Sequence, residues 1–195
     1  MIQRSDVRRR AIDTAETLFR AQGYAATGLT QILDESGAPK GSFYFHFPGG
    51  KHELALAALS AYGERVASGL EQLTAAHAGD LHGFIRALCH SIAAEMQASG
   101  WRAGCLAQNL AGELAPDDQT IADAVAAVFR SWAAPIAALI QSALICPASE
   151  AEQRALALIA GLEGSRTCAR AMRDPAPFDA LAEMAINGLR ERAGA

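Results

Sequence analysis

The stretch from Thr30 to Lys51, TQILDESGAPKGSFYFHFPGGK, decides the fold. Thr30–Ser36 reads as a short helix that turns Leu29, Ile32 and Leu33 inward. Gly37 supplies a sharp turn, because glycine takes positive φ at little steric cost. Pro39 suits the first position of a following helix, where its missing N–H has no partner to lose. That second helix, Lys40–Phe47, is aromatic on every side at Phe43, Tyr44, Phe45 and Phe47. Pro48-Gly49-Gly50 stops it, and a third helix opens at Gly49–Lys51. Two short helices joined at a steep angle by a glycine turn form a helix-turn-helix, whose second helix fits the major groove of DNA.

Outward from this stretch the pattern stays helical. Residues 5–22 form an amphipathic helix, with Ser5 at its cap, Val7, Ala11, Ala15, Leu18 and Phe19 on one face, and Gly23 ending it. Lys51–Thr74 is a long helix, apolar at Leu54, Ala55, Ala58, Leu59, Tyr62 and Val66. Asp80 caps a helix over Leu81–Ser99 with Phe84, Ile85, Leu88, Ile92 and Met96 on one side. Cys105–Leu114 is a short helix or an irregular link. A long helix from Asp117 to Cys146 carries Ile121, Val125, Val128, Phe129, Trp132, Ile136, Leu139 and Ile140, with a kink expected at Pro135. Glu150–Arg173 and Phe178–Arg192 complete the chain. No strand pattern, repeat or low-complexity segment is present, so the expected fold is all-α with about nine helices.

Composition narrows the function classes. Half of the 195 residues are apolar, enough for a substantial core. The longest apolar run, Trp132–Cys146, is interrupted by Pro135, Gln141 and Ser142 and is too short to span a bilayer. No apolar stretch follows the arginines of MIQRSDVRRR, so no secretory signal is expected, and a soluble cytoplasmic protein is. Cys89, Cys105, Cys146 and Cys168 form no CxxC or CxxH pair; free thiols and no metal or cofactor are expected. Residues 1–51 carry seven basic against five acidic groups, whereas the remainder carries ten against sixteen. A basic head on an acidic body suits a phosphate-binding head. The only two lysines, Lys40 and Lys51, flank the second helix of the motif. No nucleophile elbow, phosphate loop or HExxH occurs, so an enzyme is not expected.

The positions Gly23-Tyr24, Thr27, Thr30, Ile32, Gly37, Lys40-Gly41-Ser42-Phe43-Tyr44, Phe47 and Lys51 closely resemble the DNA-binding signature of the TetR family of transcriptional regulators. The resemblance is tight over residues 5–52 and elsewhere rests on helix number and one local motif. It implies a three-helix DNA-binding head over residues 1–52 and a ligand-binding and dimerisation bundle over 53–195. Thr30 and the amides beside it would meet a phosphate. Lys40, Gly41 and Ser42 would sit in the major groove, Tyr44 and His46 would contact the DNA backbone or a base edge, Phe43 counts among the DNA-binding candidates, and Lys51 would hold a phosphate. Phe43 and Phe47 also qualify as the floor of the head. The family more often has Tyr-His-Tyr-Phe where this chain has Tyr44-Phe45-His46-Phe47, which moves the histidine by about 100° around the helix.

The resemblance further implies a homodimer, formed through the last two helices, on a palindromic double-stranded operator, with recognition helices about 34–36 Å apart or a multiple of that. Ala155, Ala160, Gly161 and Gly164 would permit close helix approach. A small organic effector between the body helices would pull the helix at 51–74 and change the head spacing. The segment Gly100-Trp101-Arg102-Ala103-Gly104-Cys105-Leu106 resembles a family branch that answers electrophiles or drugs. Two readings of Cys105 follow: a helix-start thiolate, favoured by the helix dipole and by Arg102, that adds to an electrophile, or a small buried packing residue. Cys89, Cys146 and Cys168 lie in apolar helical patterns and are expected in the core. Trp101, Phe129 and Trp132 are candidate apolar walls for the effector, with Gln108, Asn109, Glu163 and Arg166 as polar anchors. Glu163 and Arg166, three residues apart, also suit an ion pair with each other. Repressor and activator are not separable at this level.

Overall fold

The computed structural model describes residues 4–193, with side chains described for 6–189. Among the described residues there are nine α-helices and no strand: α1 (Arg4–Gln22), α2 (Leu29–Ser36), α3 (Lys40–His46), α4 (Gly50–Ala76), α5 (Leu81–Ala98), α6 (Leu106–Glu113), α7 (Gln119–Leu144), α8 (Ala148–Met172) and α9 (Ala176–Ala193). The expected boundaries hold to within two residues nearly throughout. The first helix begins at Arg4, one residue ahead of the expected Ser5 cap, whose side chain lies outside the described residues. The stretch 105–114, open between helix and link, resolves into α6 with Cys105 as its N-cap.

The helix ends follow local chemistry. Gly23 and Gly37 sit at φ +89° and +61°, where a β-carbon is penalised. The Asp80 carboxylate accepts the Gly83 N–H at 2.8 Å, satisfying a donor that the first turn of α5 leaves open.

Two compact units emerge, residues 1–65 with 104–128, and residues 66–103 with 129–195. In the first, α1 packs against α2, α3 and α6. Phe19, Ile32, Phe43, Phe47, Leu54 and Leu59 are fully buried. In the second, α5, α8 and α9 pack on one another, and Phe84, Met96 and Phe178 are fully buried. A β-carbon on Gly161 would come within 2.5 Å of Leu181 Cδ1, so this glycine sets the approach of α8 to α9.

Several sequence expectations need correction. Val66, Ile92, Val128 and Phe129 are only half-buried, at the margins of their apolar stripes. Cys168 is exposed and Cys146 half-buried, while Cys89 and Cys105 are buried. Cys146 lies beyond the end of α7, and Cys168 lies off the buried face of α8, which runs through Leu162, Ser165, Arg166 and Ala169. The apolar segment around Trp132 is also longer than the sequence interruptions suggest. By length and composition alone α7 would span a bilayer; it passes through Pro135 without a break and buries Ile121, Val125, Trp132, Ile136 and Ile140 as a core stripe.

Candidate nucleic-acid interface and its anchorage

Of the seven residues of α3, Phe43 is buried, Ser42 and His46 are half-buried and the other four are exposed, and the C-cap Phe47 is buried beside Phe43. Phe43 and Phe47 are 0% and 1% exposed, with ring centroids 5.2 Å apart. Phe43 is therefore the floor beneath the helix and is corrected from a candidate DNA contact to a core residue. Lys40, Gly41 and Tyr44 are exposed and Ser42 is half-buried. The helix carries no carboxylate to repel a phosphate. Thr30 is exposed in the first turn of α2, where the N-cap Gly28 contributes no side-chain acceptor to the open amides.

His46 is half-buried, and its Nε2 is shielded from solvent without a hydrogen-bond partner. Its neighbour Phe45, absent from the sequence-derived set, is 67% exposed. The signal was present in the spacing: with Phe43 and Phe47 inside, the residue midway between them lies about 200° from each, on the opposite face.

Lys51 departs further from expectation. Its ammonium donates to the Tyr24 carbonyl at 3.0 Å and the Thr27 carbonyl at 2.9 Å. It also lies 3.9 Å from the centroid of the Tyr24 ring. Burial lowers its pKa, opposed by the Glu113 carboxylate. With two of its three donors engaged, Lys51 is a strut from the first turn of α4 to the loop after α1, instead of a free phosphate hand.

That loop is gripped from α6 as well. Glu113 accepts the N–H groups of Tyr24 at 2.9 Å and Ala25 at 2.6 Å. Asn109 Nδ2 donates to the Phe19 carbonyl at 2.8 Å, and Arg20 and Gly104 exchange two hydrogen bonds, Nε to O at 2.7 Å and N to O at 3.1 Å. His52 and Asp118 are 2.6 Å apart. The Ile121 amide lowers the Asp118 pKa most strongly, and His52 adds to the effect. Buried Glu16 pairs with Arg65 and Arg20, and the Arg20 guanidinium lies over the Tyr62 ring. The end of α1 and the loop after it are thus held by Asn109 and Glu113 of α6 and by Gly104 just before it.

The candidate effector residues are distributed over both units: Cys105, Gln108 and Asn109 in the first, Trp101, Phe129, Trp132, Glu163 and Arg166 in the second. Cys105 is fully buried, which fits the packing reading; a thiol that meets an electrophile needs access. The Asn109 amide donates to α1, at the Phe19 carbonyl. Gln108 is half-buried. In the second unit Phe129 and Trp132 meet edge to face at 5.5 Å. Arg166 is buried and lies 3.7 Å from both Glu163 and Glu95, so the expected Glu163–Arg166 pair is formed and a third charge joins it. Trp101 is half-buried and held at φ +67°, donating its N–H to the Met96 carbonyl at 2.7 Å. Burial and the Asp179 carboxylate push the Cys89 thiol up to about 11.

The outer side of α8 presents Leu156, Ala160, Gly164, Cys168 and Met172 to solvent at strict four-residue spacing. On α9, Met184 is 67% exposed.

Comparison with known proteins adds to this geometry. Residues 11–58 match the family described as bacterial regulatory proteins, tetR family. Residues 83–184 match the C-terminal domain described as transcriptional regulator LmrA/YxaF-like. The chain is 33% identical to the HTH-type transcriptional regulator YxaF of Bacillus subtilis (strain 168) over 183 residues, 94% of this chain and 95% of that one. It is 32% identical to the HTH-type transcriptional regulator LmrA of the same organism, over 82% of this chain and 84% of that one. Among solved structures, a regulatory protein TetR from Rhodobacter sphaeroides superposes with a TM-score of 0.81 at 26% identity, covering 91% of this chain and 95% of that one. The reduced form of Escherichia coli NemR, at 22% identity and a TM-score of 0.80 over 93% of this chain and 96% of that one, shares the fold.

Proposed function

Because this chain belongs to the TetR family of helix-turn-helix transcriptional regulators and carries an LmrA/YxaF-like C-terminal domain, we propose that it is a homodimeric cytoplasmic repressor, held on a palindromic operator and released by a small organic effector. The observation that carries this reading is the open face of α3, with Lys40, Gly41 and Tyr44 exposed over a buried Phe43–Phe47 floor. Lys40 can reach guanine O6 or N7, and bare Gly41 lets the backbone approach a base edge. Thr30 and the first amides of α2 suit a phosphate.

Dimerisation is supported by the exposed row Leu156, Ala160, Gly164, Cys168 and Met172. A four-residue row of small and apolar side chains is a ridge that a second copy of the same helix can interdigitate with. Functionally the chain divides near residue 52, with the head before it and the effector and dimer body after it.

Effector control needs two states that bind the effector differently. The grip of α6 on the α1–α2 loop supports α6 as a second route to the head, beside the helix α4. Trp101, Phe129 and Trp132 would supply apolar contact and Gln108 a polar one. Glu163 and Arg166 would contribute after exchanging partners with each other. The buried Cys105 thiol favours a reversible effector over a covalent one. The relation to the electrophile- and drug-responsive branch is retained on this non-covalent footing.

The reading is tested by placing the promoter upstream of the chain's own gene before a reporter and challenging it with a panel of organic compounds. Reporter expression is expected to be low with the regulator, high without it, and raised by a subset of compounds in both wild type and Cys105→Ser. Expression that falls on deleting the regulator would make it an activator. A response lost only in Cys105→Ser would establish covalent sensing.

A further inference from the structure

Phe45 is the most exposed aromatic ring of the head, at 67%, and it lies beside Tyr44 at 42% on the open side of α3. An isolated apolar side chain on a surface needs no explanation. Phe45 is different because of its place. It stands four residues after Gly41, so the two share one helical face. A helical side chain leans over the turn before it, here toward the glycine at 41. A β-carbon built on Gly41 would meet nothing within 4 Å, so the space over the glycine is open, while the Phe45 ring meets the His46 ring edge to face at 5.2 Å. Lys40 and Ser42 flank that glycine, and no carboxylate occurs in α3. Gly41 and Phe45 thus put a bare backbone segment and a flat apolar ring on one face, with the Lys40 cation about 100° around the helix from the glycine.

The apolar group in the major groove of DNA is the 5-methyl of thymine, and a phenyl ring in that groove is complementary to it. Resting on the DNA-binding reading above, we propose that Phe45 is a specificity-determining residue that selects a thymine in each half-site by contact with its 5-methyl group. The contact discriminates thymine from cytosine and from uracil, without any hydrogen bond or charge. Lys40 and Phe45, five residues and about 140° apart around the helix, then read different chemistry.

The test uses the full-length chain and DNA selected by it from a random-sequence duplex pool. Each thymine of the selected half-site is replaced in turn by deoxyuridine, which removes only the methyl group, and affinity is measured for wild type, Phe45→Ala and Phe45→Leu. At one thymine per half-site the replacement is expected to weaken wild type by about four-fold, the worth of one apolar carbon buried. Phe45→Ala is expected to bind thymine and deoxyuridine forms equally, Phe45→Leu to retain part of the preference, and the salt dependence to stay unchanged in all three, since no phosphate contact is altered. A selected site in which no methyl matters, or an equal deoxyuridine penalty in wild type and Phe45→Ala, would overturn the assignment and leave the regulator standing. Failure of the pool to enrich any sequence would overturn both.

Discussion

At the scale of single residues, Gly23 and Glu113 form one device. Gly23 holds φ +89°, and a β-carbon there would come within 2.5 Å of Glu113 Oε1. Gly23→Ala is expected to destabilise the chain by about 1–2 kcal/mol, through the left-handed backbone and displacement of the carboxylate. Glu113→Ala is expected to cost about 1 kcal/mol and to speed hydrogen exchange of the Tyr24 and Ala25 amides. Unchanged exchange at those two amides would remove Glu113 from the account. The thiols offer a second reading. Cys168, exposed in the single chain but on the proposed dimer ridge, is expected to alkylate before buried Cys89 and Cys105 in the monomeric Gly164→Arg variant and to be shielded in the dimer; mass spectrometry after iodoacetamide resolves this. Cys89 also couples stability to pH. Its folded pKa of about 11 stands above the ordinary 9.0, so folded and unfolded chains both keep the proton below pH 9. Between pH 9 and about 11 only the unfolded chain loses it, and stability falls as pH rises. Urea unfolding at pH 8 and 10 is expected to register a loss of about 1 kcal/mol that Cys89→Ala lacks.

At the scale of helices, the outer row of α8 carries the prediction. Gly164 is exposed and a β-carbon on it would meet nothing within 4 Å, so Gly164→Arg leaves room for the folded chain to accept the side chain. It places a charge in the middle of the proposed ridge, and sedimentation is expected to give a monomer with an unchanged helical spectrum. A dimer of undiminished strength would move the interface elsewhere. Helix boundaries were legible because apolar residues at three- and four-residue spacing, together with Gly23, Gly37 and Asp80, mark them locally. Burial at stripe margins was less legible: Val66 and Phe129 fit the period, yet their exposure depends on which neighbouring helix covers them. The outward place of Phe45 and the inward turn of His46 followed from helical geometry alone. The roles of Lys51, Asn109 and Glu113 did not. Each reaches backbone atoms 24 to 90 residues away, and no local pattern announces such partners.

At the scale of the whole molecule, the sequence already carried the all-α class and the helix-turn-helix, since a signature of some fifty contiguous residues carries that motif, although the compact unit it belongs to also takes in residues 104–128. The effector site was far less legible. Its candidate residues come from several helices, and the best polar candidates turn out to serve the protein itself, Asn109 holding α1 and Arg166 paired with Glu163 and Glu95. The central claim is that α3 reads specific DNA. It is tested most directly by fluorescence anisotropy of the full chain on DNA from its own upstream region at two salt concentrations, beside Lys40→Ala. Saturable, salt-dependent binding by wild type, weakened about tenfold or more on that DNA by Lys40→Ala while binding to unrelated DNA changes little, is the predicted result. Equal binding of both proteins to both DNAs would contradict it.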